Sequence, residues 1–392
     1  MNVVDTKPIA EWLIGGARPA AGPVQMLTEL CGRIVAAGIP LWRLVVFVRT
    51  LHPQVMGRQF LWRHGAVVDV TEAPHGIFNT PELSDSTVSR VYDTGSGVRH
   101  LFTDAGGHSD SALLAQLRRE GATDYLALPL IFSDGSIHAA TWATRQQCGF
   151  TGAQIAGIEA ILAPLARIAE IYALRRTATN LLDTYVGHKT GERILSGHIR
   201  RGDTQAIEAA IWLSDMRGFT ALSDRLPPKV LIDLLNRYFD CQLPGITSHG
   251  GEVLKFMGDG LLAIFPIEGH EPAVGDACAR AAAAALDARA AVTALSTGTG
   301  DPVERLRFGL ALHIGEVLYG NIGGGQRLDF TCIGPAINLA ARIEKLTGKL
   351  GRTILVSGEF ARHCTHPLMC VGEFQLAGFT AAQAVFGFSD EP

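Results

Sequence analysis

Glu252 to Met257 and Leu261 to Phe265 read as two short strands with only Gly258-Asp259-Gly260 between them. So short a connection leaves room for a tight reversal alone, which commits the stretch to an antiparallel hairpin. The neighbouring segments must cover that hairpin, and their periodicities alternate. Ala209 to Leu213 reads as a short buried strand, and Pro227-Pro228 opens a helix with Val230, Leu231, Leu234, Leu235 and Tyr238 on its face. Ala277 to Leu295 reads as a helix, Leu306 to His313 and Glu316 to Ile322 as two strands. Pro335 at the first helical position and Gly348 past the end bracket another helix. The expectation is an α+β fold: a mixed, mostly antiparallel sheet of ferredoxin-like type, covered by helices. Gly323-Gly324-Gly325 lacks the Lys-Ser/Thr of a phosphate loop and reads as the end of a hairpin between strands.

At 392 residues the chain suggests two domains, each large enough to bury its own core. The first half opens with a helical pattern (Met26, Leu27, Leu30, Ile34) ended by Gly38 and Pro40, then a buried strand from Trp42 to Val48. Tyr125 to Ile131 and His138 to Ala143 form a second strand pair, joined by Ser133-Asp134-Gly135-Ser136. Gly149-Phe150-Thr151 precedes a long helix, whereas residues 52–124 show no assignable pattern. This order of elements resembles a GAF-type sensory domain. The resemblance implies a regulatory domain over residues 1–170, which either takes a small-molecule ligand or only dimerises and transmits. Helical spacing continues through Ile171, Leu174, Leu181, Leu182 and Tyr185 to about Ile194. Residues 171–204 are therefore expected to form a helical connector, able to pair with a second copy or to pack on its own domain. Residues 205–392 form the second domain.

Charge and cysteine usage exclude several classes. A net charge of −4 gives no basic footprint for nucleic acid, and no Lys/Arg block reads as a membrane patch. Met1 to Trp12 carries Asp5 and Glu11 and lacks a signal-peptide apolar core. No apolar run is long enough to span a bilayer, so the expected location is the cytoplasm. Seven cysteines without a CxxC pair argue against a disulfide framework or zinc site, and thirteen histidines without HExxH argue against a histidine-metal site.

Three segments carry the chemistry: Ser214-Asp215-Met216-Arg217-Gly218-Phe219-Thr220, Lys255-Phe256-Met257-Gly258-Asp259-Gly260, and Thr331-Cys332-Ile333-Gly334-Pro335-Ala336-Ile337-Asn338-Leu339-Ala340-Ala341-Arg342. Singly they have plainer readings, since Asp in a strand-to-helix turn is often an N-cap and Gly-Asp-Gly is a good hairpin without function. Together and in this order they resemble the catalytic domain of class III nucleotide cyclases. The resemblance implies formation of a 3′,5′-cyclic nucleotide and pyrophosphate from a nucleoside triphosphate. It makes Asp215 and Asp259 the ligands of two Mg²⁺ or Mn²⁺ ions, with the backbone N–H groups of Gly218, Phe219 and Thr220 directed at phosphate. Asn338 would fix the ribose and Arg342, one turn on along the same face, would neutralise charge at the α-phosphate. Lys255 and Thr331 match the two purine-reading positions. A lysine donor and a threonine acceptor complement N1 and N6 of adenine, whereas guanine N1–H would face the lysine donor to donor. ATP is the expected substrate.

In that family the site is built across a homodimer, Asp215 and Asp259 from one protomer and Lys255, Thr331, Asn338 and Arg342 from the other. Nucleic acid and membrane are not expected partners. The chain departs from the family at Leu376-Ala377-Gly378-Phe379, where many members carry a phosphate-contacting lysine. Either Lys345, Lys349 or Arg352 supplies that charge, or triphosphate affinity is reduced. The rival readings are a guanylate cyclase and a catalytically silent cyclase-fold sensor.

Overall fold

The computed structural model describes residues 4–50, 55–75, 86–102, 111–267, 273–297, 306–325 and 327–391. Residues 1–3, the start of the segment read as lacking a signal-peptide core, lie outside the described residues. The chain divides into two compact units, Met1–Leu181 and Leu182–Pro392. Among the described residues no helix is long and apolar enough to cross a membrane.

The first unit contains α1 (Lys7–Ile14), α2 (Pro23–Ala36), β1 (Arg43–Arg49), β2 (Val55–Arg63), β3 (Asp69–Pro74), α3 (Thr87–Thr94), β4 (Val98–Leu101), α4 (Ala112–Arg119), β5 (Asp124–Ile131), β6 (Ile137–Thr144) and most of α5 (Gly152–Val186). Its six strands pair antiparallel in the order β3-β2-β1-β6-β5-β4. Both faces of this sheet are covered. On one, Leu27, Leu30 and Ile34 of α2 and Ile158, Ile161 and Leu165 of α5 pack against Leu44, Val46, Leu126 and Trp142. On the other, Val91 of α3 and Leu114 and Leu117 of α4 pack against Tyr125 and Ala139. The strand pair read around Asp134-Gly135 is β5–β6, turned by Gly135 at φ 81° with Ser136 N–H on the Asp134 carboxylate (2.8 Å). The segment without a sequence pattern supplies β2, β3, α3, β4 and α4; β3 and β4 are the sheet's two edges, and β2 is an interior strand of nine residues.

The second unit contains α6 (His188–Leu195), β7 (Thr204–Met216), α7 (Phe219–Ser223), α8 (Pro228–Asp240), α9 (Leu243–Ser248), β8 (Glu252–Met257), β9 (Gly260–Pro266), α10 (Ala273–Thr297), β10 (Phe308–Gly324), β11 (Arg327–Ile333), α11 (Pro335–Leu350), β12 (Ile354–Ser357), α12 (Gly358–His363), β13 (Leu368–Phe374) and β14 (Gln383–Phe388). The central order β10-β7-β9-β8, antiparallel throughout, with helices between β7 and β8 and between β9 and β10, is the ferredoxin-like βαββαβ arrangement. β12 adds parallel to β10, and β14 and β13 extend that edge. One face of the sheet carries Trp212, Phe265 and Leu310 beneath α8, α9, α10 and α12. The other carries Ile211 and Ile264, covered by Ala336 and Ala340 of α11 and by Tyr319, Phe330 and Cys332 of the β10–β11 arm.

Three boundaries differ from expectation. The strands expected at 306–313 and 316–322 are one continuous strand, because Ile314 and Gly315 stay in register with Ala210 and Ala209 of β7. α11 runs through Gly348 and stops at Gly351, which takes the left-handed cap at φ 70°. The expected run of helix to Ile194 breaks at Gly187 (φ 85°), so α5 ends at Val186 and α6 starts anew. Residues 196–203 are not helical.

Candidate active site

Asp215 stands at the end of β7, and the chain fixes it from behind. Trp212 Nε1 donates to Ser214 Oγ (3.2 Å), and Ser214 Oγ donates to Gln242 Oε1 (2.6 Å), all three residues being buried. The β8–β9 turn brings up Asp259: Met257 pairs with Gly260, so Gly258 and Asp259 alone make the reversal. Gly258 takes φ 66° in the first central position, a conformation open to glycine at no steric cost. A Cβ on Gly260 would sit 3.3 Å from Asp215 Oδ1, so the carboxylate leans over the foot of this hairpin. The two expected metal ligands are thus brought together.

A third carboxylate, missed from the sequence, lies near enough to act on Asp215 through its charge. Glu344 of α11 lies over Gly309, whose backbone is in register with Asp215; a Cβ at Gly309 would stand 2.7 Å from Glu344 Oε1. Partial desolvation, then the Asp259 and Glu344 carboxylates, push the Asp215 carboxyl up to about 7. Burial also raises Glu344, with Arg217 and Lys345 opposing the rise. Crowded hard oxygens of one charge are a donor set suited to a divalent cation. Among the described residues no cluster of three or more metal-ligating side chains forms. Two carboxylates still match magnesium or manganese, which share their remaining positions between water and substrate phosphate.

Cations flank the same end of the sheet. Arg217 N–H donates to Arg307 O (2.8 Å), and the Arg307 guanidinium is close enough to oppose that of Arg217. The Arg217 side chain donates to the Arg352 carbonyl. Arg352, one of three residues considered as the missing phosphate contact, is buried and donates to Phe388 O (3.3 Å) and Glu391 O (3.0 Å), which removes it from that role. Lys345, Lys349 and Ala377 are exposed. Gly218 enters α7 at φ 75°, and α7 is a single turn.

Lys255 and Thr331, the pair expected to read a purine, lie on two strands that meet. Lys255 of β8 forms an ion pair with Asp329 of β11, and Asp329 shares a strand face with Thr331, two residues on. Thr331 is buried. Asp329 could have been found from that period of two, once β11 was known to approach β8. The same arm is tied down behind the pair: Thr190 Oγ1 of α6 and Tyr319 Oη both donate to Glu252 Oε1 (3.0 and 2.8 Å), and Arg193 lies 5.2 Å over the Tyr319 ring.

Asn338 and Arg342 lie apart from the acid pair. Both are exposed on α11, with Leu339 and Ile343 buried beside them, and neither side chain has a partner among the described residues. At about 100° per residue, a helix that turns Glu344 toward Asp215 turns the Asn338–Arg342 face well away from it.

The comparisons with known proteins match this unit. Residues 203–386 match the family model described as the adenylate and guanylate cyclase catalytic domain. The chain is 34% identical over 175 residues to an adenylate cyclase of Anabaena cylindrica, covering 43% of this chain and 33% of that protein. It is 28% identical over 171 residues to adenylate cyclase 1 of Rhizobium meliloti, covering 44% and 25% respectively. The chain therefore spans a third or less of the length of these curated relatives. Among solved structures, a bacterial light-regulated adenylyl cyclase is 30% identical, with 47% of this chain and 91% of that one covered at a TM-score of 0.42. Through its second unit, the chain belongs to the class III adenylate and guanylate cyclase catalytic domain family.

Proposed function

We propose that the protein is an adenylate cyclase that converts ATP to 3′,5′-cyclic AMP and pyrophosphate at two equivalent sites shared between two copies of the chain. The observation that carries this reading is the convergence of Asp215 and Asp259 at one end of the unit that matches the family. In the reaction the 3′-oxygen bonds to the α-phosphorus as the bond to the β-phosphate oxygen breaks, and the hydroxyl proton leaves. Divalent ions bound by Asp215 and Asp259 would acidify that hydroxyl and offset phosphate charge.

The other roles fall to side chains of the chain itself. Arg307 and Arg217, beside the acid pair, offer cationic contacts to the distal phosphates in place of the lysine absent at Ala377. The backbone N–H groups of Gly218, Phe219 and Thr220 supply further donors. Lys255 donates to adenine N1 and Thr331 accepts from N6, with Asp329 aiming the ammonium group. Guanine would leave Lys255 facing a donor, a mismatch that a buried site rejects strongly. Asn338 holds the ribose and Arg342 neutralises the α-phosphate in the transition state. The rotation of α11 supports the shared site: a nucleotide on one chain's Asp215 needs Asn338 and Arg342 from its partner. The N-terminal unit, an antiparallel sheet with helices on both faces, is read as a GAF-like regulatory domain.

The test is incubation of the purified chain with ATP or GTP and Mg²⁺ or Mn²⁺, followed by chromatography of the product. Cyclic AMP from ATP is expected. Cyclic GMP as the main product would favour the guanylate cyclase reading, and no product with any pair would leave a silent binding protein.

A further inference from the structure

We propose that the N-terminal unit contains a binding site for a small amphipathic carboxylate, an apolar body ending in one carboxylate group, between α2, α5 and the β1–β2 hairpin. A cavity of about 360 Å³ lies there, within the range that takes small organic ligands. Its wall includes Leu27, Val46, Val48, Phe60, Leu165 and Ala169. Of these, Leu165 is 0% exposed, Leu27 2%, Val46 5%, Val48 6% and Ala169 7%. These side chains form the packed apolar floor of the cavity. Filling it restores the dispersion contacts that an empty apolar space forgoes.

The rim supplies the other half of the recognition. Arg58, Arg175 and Arg176 border the cavity, and among the described residues no acidic side chain lines it. Arg58 is paired with Glu72, but Arg175 and Arg176 are exposed and have no carboxylate partner among the described residues. The planar fork of an exposed guanidinium matches a carboxylate arriving at the rim. A mostly apolar wall with cations gathered at the rim suits a ligand charged at one end only. The site is independent of the cyclase reading, because every residue that forms it lies in the first unit.

Titration calorimetry of the full chain with dodecanoate and with dodecanol tests the proposal. Dodecanoate should bind saturably, one per chain, and dodecanol at least about 10-fold more weakly, as expected for loss of a charge-assisted contact. Arg175→Glu with Arg176→Glu should weaken dodecanoate binding at least about 10-fold and leave dodecanol unchanged. Ala169→Phe, which fills the cavity, should abolish binding of both. Should that variant fail to fold, the exposed arginine variant alone decides. Absence of saturable dodecanoate binding to the unmodified chain overturns the proposal, as does equal affinity for acid and alcohol. A change in sedimentation on Ala169→Phe without effect on dodecanoate would mean that a second copy covers this face, and the proposal falls.

Discussion

At the scale of single residues, Asp215 and Arg342 separate the shared-site reading from its rivals. Asp215→Ala removes a cation ligand and Arg342→Ala removes charge neutralisation, so each variant alone should lose roughly 10² or more in rate. In a mixed dimer one site collects both lesions and the other neither. Random exchange at equal amounts should restore about a quarter of the unmodified activity, by symmetry. No recovery after demonstrated subunit exchange would put all these groups in one chain's site. Lys255→Glu with Thr331→Cys should weaken the preference for ATP over GTP, read as the ratio of product formed from each; equal use of both by the unmodified chain would remove the base-reading argument. Asp215, Lys255, Asp259, Thr331, Asn338 and Arg342 could be singled out as candidates from the sequence because they sit in contiguous motifs. Glu344, Asp329 and Arg307 could not, for only the fold brings each of them beside Asp215, Lys255 and Arg217 respectively. Glu344 follows Arg342 by two positions, yet it reaches Asp215 because Gly309 leaves α11 room to approach β7's partner strand.

Among the elements, β10 shows how far pattern reading goes. Its two halves read as separate strands on either side of Ile314-Gly315, a break that pairing with β7 removes. The stop of α11 was misplaced for a related reason, since Gly348 continues the helix while Gly351 takes the left-handed cap. Sequence marks where glycine is present; backbone conformation decides which one punctuates. The contact between these two elements is tight at Gly309, where a Cβ would meet Thr347 Oγ1 at 2.1 Å and Glu344 Oε1 at 2.7 Å. Gly309→Ala should therefore cost about 1–3 kcal/mol through overpacking. Several degrees in the Tm of the second unit are expected to be lost, measured by calorimetry. Activity should fall further than stability, because Glu344 is displaced from the acid pair. A variant with unchanged Tm and unchanged rate would mean that α11 gives way freely at this point.

At the scale of the whole molecule, a histidine kept neutral by burial is found in each unit among the described residues. His138 Nδ1 accepts from Arg49 N–H (3.1 Å) in the first unit, and His313 Nδ1 meets Ser357 Oγ (2.7 Å) in the second. Burial holds both near 4, with the Arg49 charge adding to the effect at His138. An unfolded chain takes up these protons around pH 6.5, so the stability each neutral ring contributes is complete above that pH. It should drain away as pH falls toward 4 and level off below. The loss is on the order of 3 kcal/mol per unit. Urea unfolding between pH 4 and 7 should show this slope, and His138→Gln should flatten it for the first unit only. A fragment beginning at residue 182 should keep its chemistry yet lose specific activity on dilution, since shared sites require association; activity per molecule independent of concentration down to the monomer would count against them. Where such a fragment begins matters. The family match starts at residue 203, but the buried Glu252 takes one of its two hydroxyl donors from Thr190 of α6. A chain trimmed to the matched boundary would leave that carboxylate half satisfied beneath the arm carrying Thr331, so a fragment that keeps this arm tied down should begin ahead of α6, outside what family resemblance delimits.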